Sequence, residues 1–273
     1  MRKYIYPVLV LILSLLLCAC TTDVYVERGN NALSTGGISN AEPTVVGGAT
    51  DYDAEEPKPT VPLHSNLYMP EYSPQQIFEY FEEIVFHMEY TTGTGNSSLV
   101  QKWNEPLRYR IYGNPTEDDL AELTDLFAQL NEIAGFPGIY AAYDEELENL
   151  TISFLDQESF NASFSEFING EDAYGATQFW YYTATNEIYT AKVGYRTDTD
   201  QTTRASILIE EIINMLGLSD TVLREDSIVY QYSNDNTALS DVDWIILKLL
   251  YDPAIQCGMD ADSCSAVIQE LYF

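Results

Sequence analysis

Two adjacent carboxylates and an amide interrupt one strongly apolar stretch, Ile209-Glu210-Glu211-Ile212-Ile213-Asn214-Met215-Leu216-Gly217. Residues four apart on a helix share a face, so Glu210 and Asn214 are spaced to grip one ion. Glu211, the next residue, could then polarise a water bound to that ion as general base. A set of carboxylate and amide oxygens is hard. It suits Ca²⁺, Mg²⁺ or Mn²⁺ better than Zn²⁺, and its negative charge would quench the Lewis acidity that hydrolysis needs. The plainer reading stays open beside this one: solvated glutamates on a helix, and an asparagine bonded to nearby backbone. The apolar neighbours argue that at least one of the three is partly buried. A buried carboxylate needs a cation or shifts its pKa up. Arg196 and Arg204 are the nearest cations in sequence, so an internal ion pair is a third possibility.

These residues need a helix, and residues 203–218 have its pattern, with Ile207, Leu208, Ile212 and Met215 on the apolar side and Gly217 placed to end it. Other helices are marked by caps. Ser73-Pro74-Gln75-Gln76 opens one carrying Ile77, Phe81, Ile84 and Met88. Thr116 opens another, with acids in its first turn, a stripe from Leu120 through Leu123, Phe127 and Leu130 to Ile133, and a stop at Gly135 and Pro137. Ser240 with Asp243 opens a third, with Trp244, Leu247 and Tyr251 on one face, ended by Asp252-Pro253. Strands are expected at Leu107–Tyr112, Leu150–Leu155, Phe179–Tyr182 and Ile188–Tyr195, the last with Ala191, Val193 and Tyr195 on one side. Helices and strands mixed in this way predict an α+β domain.

Outside this domain the chain has different chemistry. Arg2 and Lys3 precede an apolar run from Ile5 to Leu17, shorter than the ~20 residues a membrane span takes. The segment ends Leu17-Cys18-Ala19-Cys20, which resembles the bacterial lipobox. That resemblance implies cleavage before Cys20, its lipidation, and an extracytoplasmic location on a bacterial membrane, held firmly by more than one acyl chain. Residues 20–65 follow, rich in Gly, Asn, Thr, Pro and acids, and are expected to be a disordered acidic linker. Residues 66–273 are long and aromatic enough for one domain with a real core. With 43 acidic against 12 basic residues and a formal charge of −31, the chain repels nucleic acid. In an oxidising compartment Cys257 and Cys264 are expected to close a short disulfide, although a metal site is open to them too. Phe179-Trp180-Tyr181-Tyr182 could line a cleft for sugar or peptide, or serve as a core or edge strand. A nucleophile elbow and a phosphate-binding loop are both absent, and Gly170 and Gly175 are isolated.

The Glu210–Asp220 segment resembles the active-site helix of the metzincin zinc peptidases, H-E-x-x-H-x-x-G-x-x-H, where some members end in Asp. The resemblance implies ligand positions at Glu210, Asn214 and Asp220, a base at Glu211 and the structural glycine at Gly217. Ser227-Ile228-Val229-Tyr230 is similar to the turn beneath the zinc, with Val229 where that family has Met, and the helix from Ser240 to Tyr251 is similar to the closing helix. Both ligand histidines are missing. The two histidines of the chain, His64 and His87, lie in the linker and the first helix. A closer likeness is to an uncharacterised bacterial family, domain of unknown function 2927. It is carried by Trp103-Asn104-Glu105-Pro106-Leu107-Arg108, by Glu210-Glu211 with Leu216-Gly217-Leu218, and by Leu250-Tyr251-Asp252-Pro253.

These readings converge on a membrane-anchored extracytoplasmic lipoprotein with a zincin-like domain. It lacks the zinc triad, needs no cofactor, and binds a protein or glycan or supports the envelope. The alternative is a metal-dependent hydrolase using Glu211 with Glu210, Asn214 and Asp220 around a divalent cation other than zinc.

Overall fold

A computed structural model describes residues 21–25, 67, 71–86, 99–143, 146–165 and 173–272. Cys20, His64, His87, Met88 and Gly170, with the leader and most of the linker, lie outside the described residues.

Among the described residues, seven strands form one sheet: β1 (Thr21–Tyr25), β2 (Lys102–Trp103), β3 (Leu107–Gly113), β4 (Ile139–Ala141), β5 (Leu150–Leu155), β6 (Gly175–Tyr181) and β7 (Glu187–Arg196). Their order is β1-β6-β7-β5-β3-β4, and β2 pairs with the first residues of β7. The strands β7, β5, β3 and β4 are parallel, while β6 runs antiparallel to β7. The chain is thus a mixed α+β fold. The expected strands are present, with β6 starting four residues earlier than Phe179 and ending at Tyr181. One correction concerns the linker. Thr21–Tyr25, assigned to an unstructured stretch by composition, is the edge strand β1, paired in parallel with β6.

Among the described residues, six helices accompany the sheet: α1 (Pro74–Phe86), α2 (Glu117–Leu130), α3 (Gln157–Phe164), α4 (Gln201–Met215), α5 (Asp241–Leu250) and α6 (Ala261–Tyr272). The caps are those the sequence announces. Ser73 and Gln76 exchange bonds at the head of α1, and Thr116–Asp119 and Ser240–Asp243 form capping boxes on α2 and α5. Asp200 caps α4 two residues ahead of the expected start. Helix α2 ends at Leu130, before Gly135 is reached, because Asn131 caps it and ties its side chain to Ile139.

The strand alternation sorts the sheet into two faces. Leu150, Ile152 and Phe154 align with Ala191, Val193 and Tyr195 in one buried layer. Helix α4 packs on β6 and β7, and α2 packs against α4 and β4. On the opposite face α3 lays Phe160 and Phe164 over Ala176, and Phe164 sits on Gly194. Among the described residues no helix is long and apolar enough to cross a membrane.

Candidate functional site

Helix α4 is central to the molecule, and every residue from Ser206 to Met215 is buried. This follows from its sequence, in which isoleucines and leucines occupy several helix faces and leave no broad polar stripe for solvent. Donors from elsewhere hold its backbone. Tyr195 Oη donates to the Leu208 carbonyl at 2.9 Å, Trp103 Nε1 to Met215 at 2.8 Å, and Tyr251 Oη to Leu216 at 3.0 Å. The last two satisfy carbonyls at the C-terminal end that have no partner within the helix. Beyond them Gly217 turns the chain at φ +103°, and a Cβ there would lie 2.1 Å from the Gln101 carbonyl oxygen.

The carboxylates sit inside this packing. Glu210 is 2% exposed and Glu211 0%. Glu211 lies under β6. A Cβ on Gly175 would come 2.7 Å from its Oε1 and 2.8 Å from its Cγ, and Thr177 Oγ1 donates to its carbonyl oxygen at 2.7 Å. Both glutamates are engaged by neighbours. The two arginines nearest in sequence have partners of their own. Arg204 Nε donates to Asp119 Oδ1 at 2.8 Å, where Gln201 also donates, and Arg196 Nη2 donates to Asp198 at 2.6 Å. For Asp119, burial is the largest influence and pushes its carboxyl up, but bonds from Arg204, Thr116 and Gln201 outweigh it and hold the pKa below the usual value.

Asn214 is fully buried, and its Nδ2 donates to Asp220 Oδ1 at 3.2 Å. Its Oδ1, like Ser206 Oγ one turn below Glu210, has no hydrogen-bond partner among the described residues. Ser206, Glu210 and Asn214 thus form a buried polar stripe along one side of α4. The segment after Asp220 is pinned to α1. Ser219 donates through N and Oγ to the Ile84 carbonyl, and Glu83 accepts from Thr221 Oγ1 at 2.6 Å and Val222 N at 2.9 Å. Nothing in the sequence marks Glu83 for this role, since more than a hundred residues separate it from its partners. The Ser227–Tyr230 turn is held by Asp243, which accepts from Ser227 Oγ at 2.6 Å and Ile228 N at 3.0 Å, with Val229 buried.

The structure brings Asn214 and Asp220 together. Among the described residues no group of three His, Cys, Asp or Glu side chains could hold a metal ion. Of the candidate ligand positions, Glu210 and Asn214 are buried on α4, and Asp220 follows the helix and accepts from Asn214. Glu211, the candidate base, has no exposed surface.

One further expectation changes, and one open alternative is decided in favour of a core strand. Cys257 and Cys264 are free thiols, not a disulfide. Cys264 fills a core position on α6, while the Cys257 Sγ turns to the Lys102 carbonyl at 3.5 Å. Nor do the aromatics at 179–182 line a cleft together. Phe179 belongs to the core, Trp180 lies near Lys192, and the exposed Tyr182 stacks on Tyr189 at 4.5 Å.

The model of a family described as "Protein of unknown function (DUF2927)" matches residues 74–270, from α1 to α6. No curated protein matches the chain.

Proposed function

The chain belongs to the DUF2927 family, and from that premise we propose that it is a bacterial, extracytoplasmic lipoprotein anchored through Cys20, whose domain works by binding or as envelope structure and not by hydrolysis. The observation that carries the non-catalytic part is the burial of Glu211 against Gly175. A general base must reach its water, and this carboxylate is packed between a helix and a strand. The anchoring part is supported by Leu17-Cys18-Ala19-Cys20 after a short apolar run. We extend the proposal to a zincin-like arrangement. Its support is the succession of β7, α4, the 227–230 turn and α5, with the antiparallel β6 packed on α4 beside β7. The binding partner on this reading is a protein or glycan of the envelope.

Elemental analysis of the full chain, purified without chelator or His tag, tests the first part. Less than a tenth of an equivalent of any divalent metal, with no cleavage of casein, is the expected result. About one equivalent, lost in a Glu211→Gln/Asp220→Ala double variant, would overturn it in favour of a hydrolase with a carboxylate-rich site. Growth with an alkyne-tagged palmitate tests the anchor. Label is expected on the wild-type chain and absent from Cys20→Ala.

A further inference from the structure

The two edges of β6 have very different partners. One pairs with β7 along the whole of Gly175–Tyr181. The other pairs with β1, in parallel register from Thr21↔Ala176 to Tyr25↔Trp180. The extensive packing of β1 is with β6, whereas β6 also packs on α4 and β7. A strand held in this way gains backbone hydrogen bonds in the weaker, parallel geometry. Against them stands the ordering of its residues. If such a pairing opens, it exposes a strand edge able to accept an extended segment.

The position of β1 in the chain gives this opening a consequence. Thr21 directly follows Cys20. We infer that the β1–β6 pairing is a releasable clamp between the Cys20 anchor and the domain, with the outer edge of β6 as a strand-acceptor site for Thr21–Tyr25. Paired, it holds the β6 edge within one residue of the lipidated cysteine, roughly 3.5 Å of chain. Open, it frees Thr21–Tyr25 from the β6 edge and lengthens the tether between Cys20 and the domain. The membrane half of this inference rests on the anchoring proposed above, and the strand pairing does not.

Residue-resolved hydrogen exchange tests the pairing without lipid, in the full mature chain carrying Cys20→Ser. The alternate amides of Gly175–Tyr181 that face away from β7 should be protected. They should exchange at least tenfold faster when residues 21–25 are replaced by a Gly/Ser pentapeptide, and likewise in Asp23→Pro, which breaks the strand at constant length. The β7-facing amides of the same strand are the control for folding and should not change in either variant. Equal exchange of the outer amides in all three chains overturns the clamp and leaves the anchor standing. Protected outer amides in a chain whose Cys20 takes no palmitate label overturn it by the other route, since there is then no lipid to hold.

Discussion

Lys102 keeps its ammonium group inside the protein. Its Nζ donates to the carbonyls of Leu250 at 2.7 Å and Ile255 at 2.5 Å, at the negative C-terminal end of α5. Burial nonetheless lowers its pKa from 10.5 to about 8. Between those values the unfolded chain holds a proton that the folded chain has released, so stability rises with pH across that window. The change is on the order of 3 kcal/mol at its full extent. The thiols act in the opposite sense. Burial raises Cys257, and raises Cys264 from 9.0 to about 12, so their contribution is lost as pH rises above 9. The melting temperature should therefore climb from pH 7.5 to 9 and then level off. A Lys102→Met variant, less stable throughout, should lose the climb, and a climb that persists would show that another group causes it. Trp103 and Tyr251 act on α4 through single bonds. Trp103→Phe leaves the Met215 carbonyl buried without its donor and should cost about 1–3 kcal/mol in urea unfolding. The sequence marks both aromatics only by family likeness. That these two residues, far apart in sequence, meet at the C-terminal end of one helix is visible only in the fold.

At the scale of elements, the fit of α4 beneath β6 decides what Glu211 can be. Gly175 allows the approach, because a Cβ there would meet Ile207 Cγ2 at 2.4 Å as well as the Glu211 carboxylate. Gly175→Ala should destabilise by about 1–3 kcal/mol through overpacking. Combined with Glu211→Ala, which removes one of the obstructing groups, the loss should be smaller than the sum of the two single losses by about 1 kcal/mol. Strict additivity in chemical denaturation would show that the strand and the carboxylate do not press on each other. The long elements are legible from their caps and periodicity, as α1, α2, α4, α5, β3, β5 and β7 all show. Strands β2 and β4, with two and three residues, are too short to carry a period and exist because β7 and β3 offer them an edge. Helix α3 buries only Phe160 and Phe164, too few for a recognisable stripe.

Across the whole molecule, the Asp119–Arg204 pair joins the start of α2 to α4, with both side chains nearly inaccessible. Removing one partner leaves the other charge buried, so Asp119→Ala should cost about 3–5 kcal/mol, measured by urea unfolding, and Asp119→Asn less. Because its carboxyl is held below the usual range, its contribution is present at neutral pH and is lost as pH falls through the acid range. This pair was not legible. Arg204 stands close in sequence to Glu210 and Glu211, and proximity along the chain assigned it to them, but the helix turns it towards α2. Local order did not need tertiary structure. The caps, apolar periods and strand alternation fix where most helices and strands lie, because each depends on residues within a few positions of one another. The composition also indicated one aromatic-rich domain behind an acidic leader segment. Only the tertiary structure decided the surroundings of the motif. The spacing of Glu210, Glu211, Asn214 and Asp220 is compatible with an open metal site and with a buried polar stripe, and the choice depends on what packs against α4. Here β6 and β7 cover it, and those contacts lie tens of residues away, where no local pattern can record them.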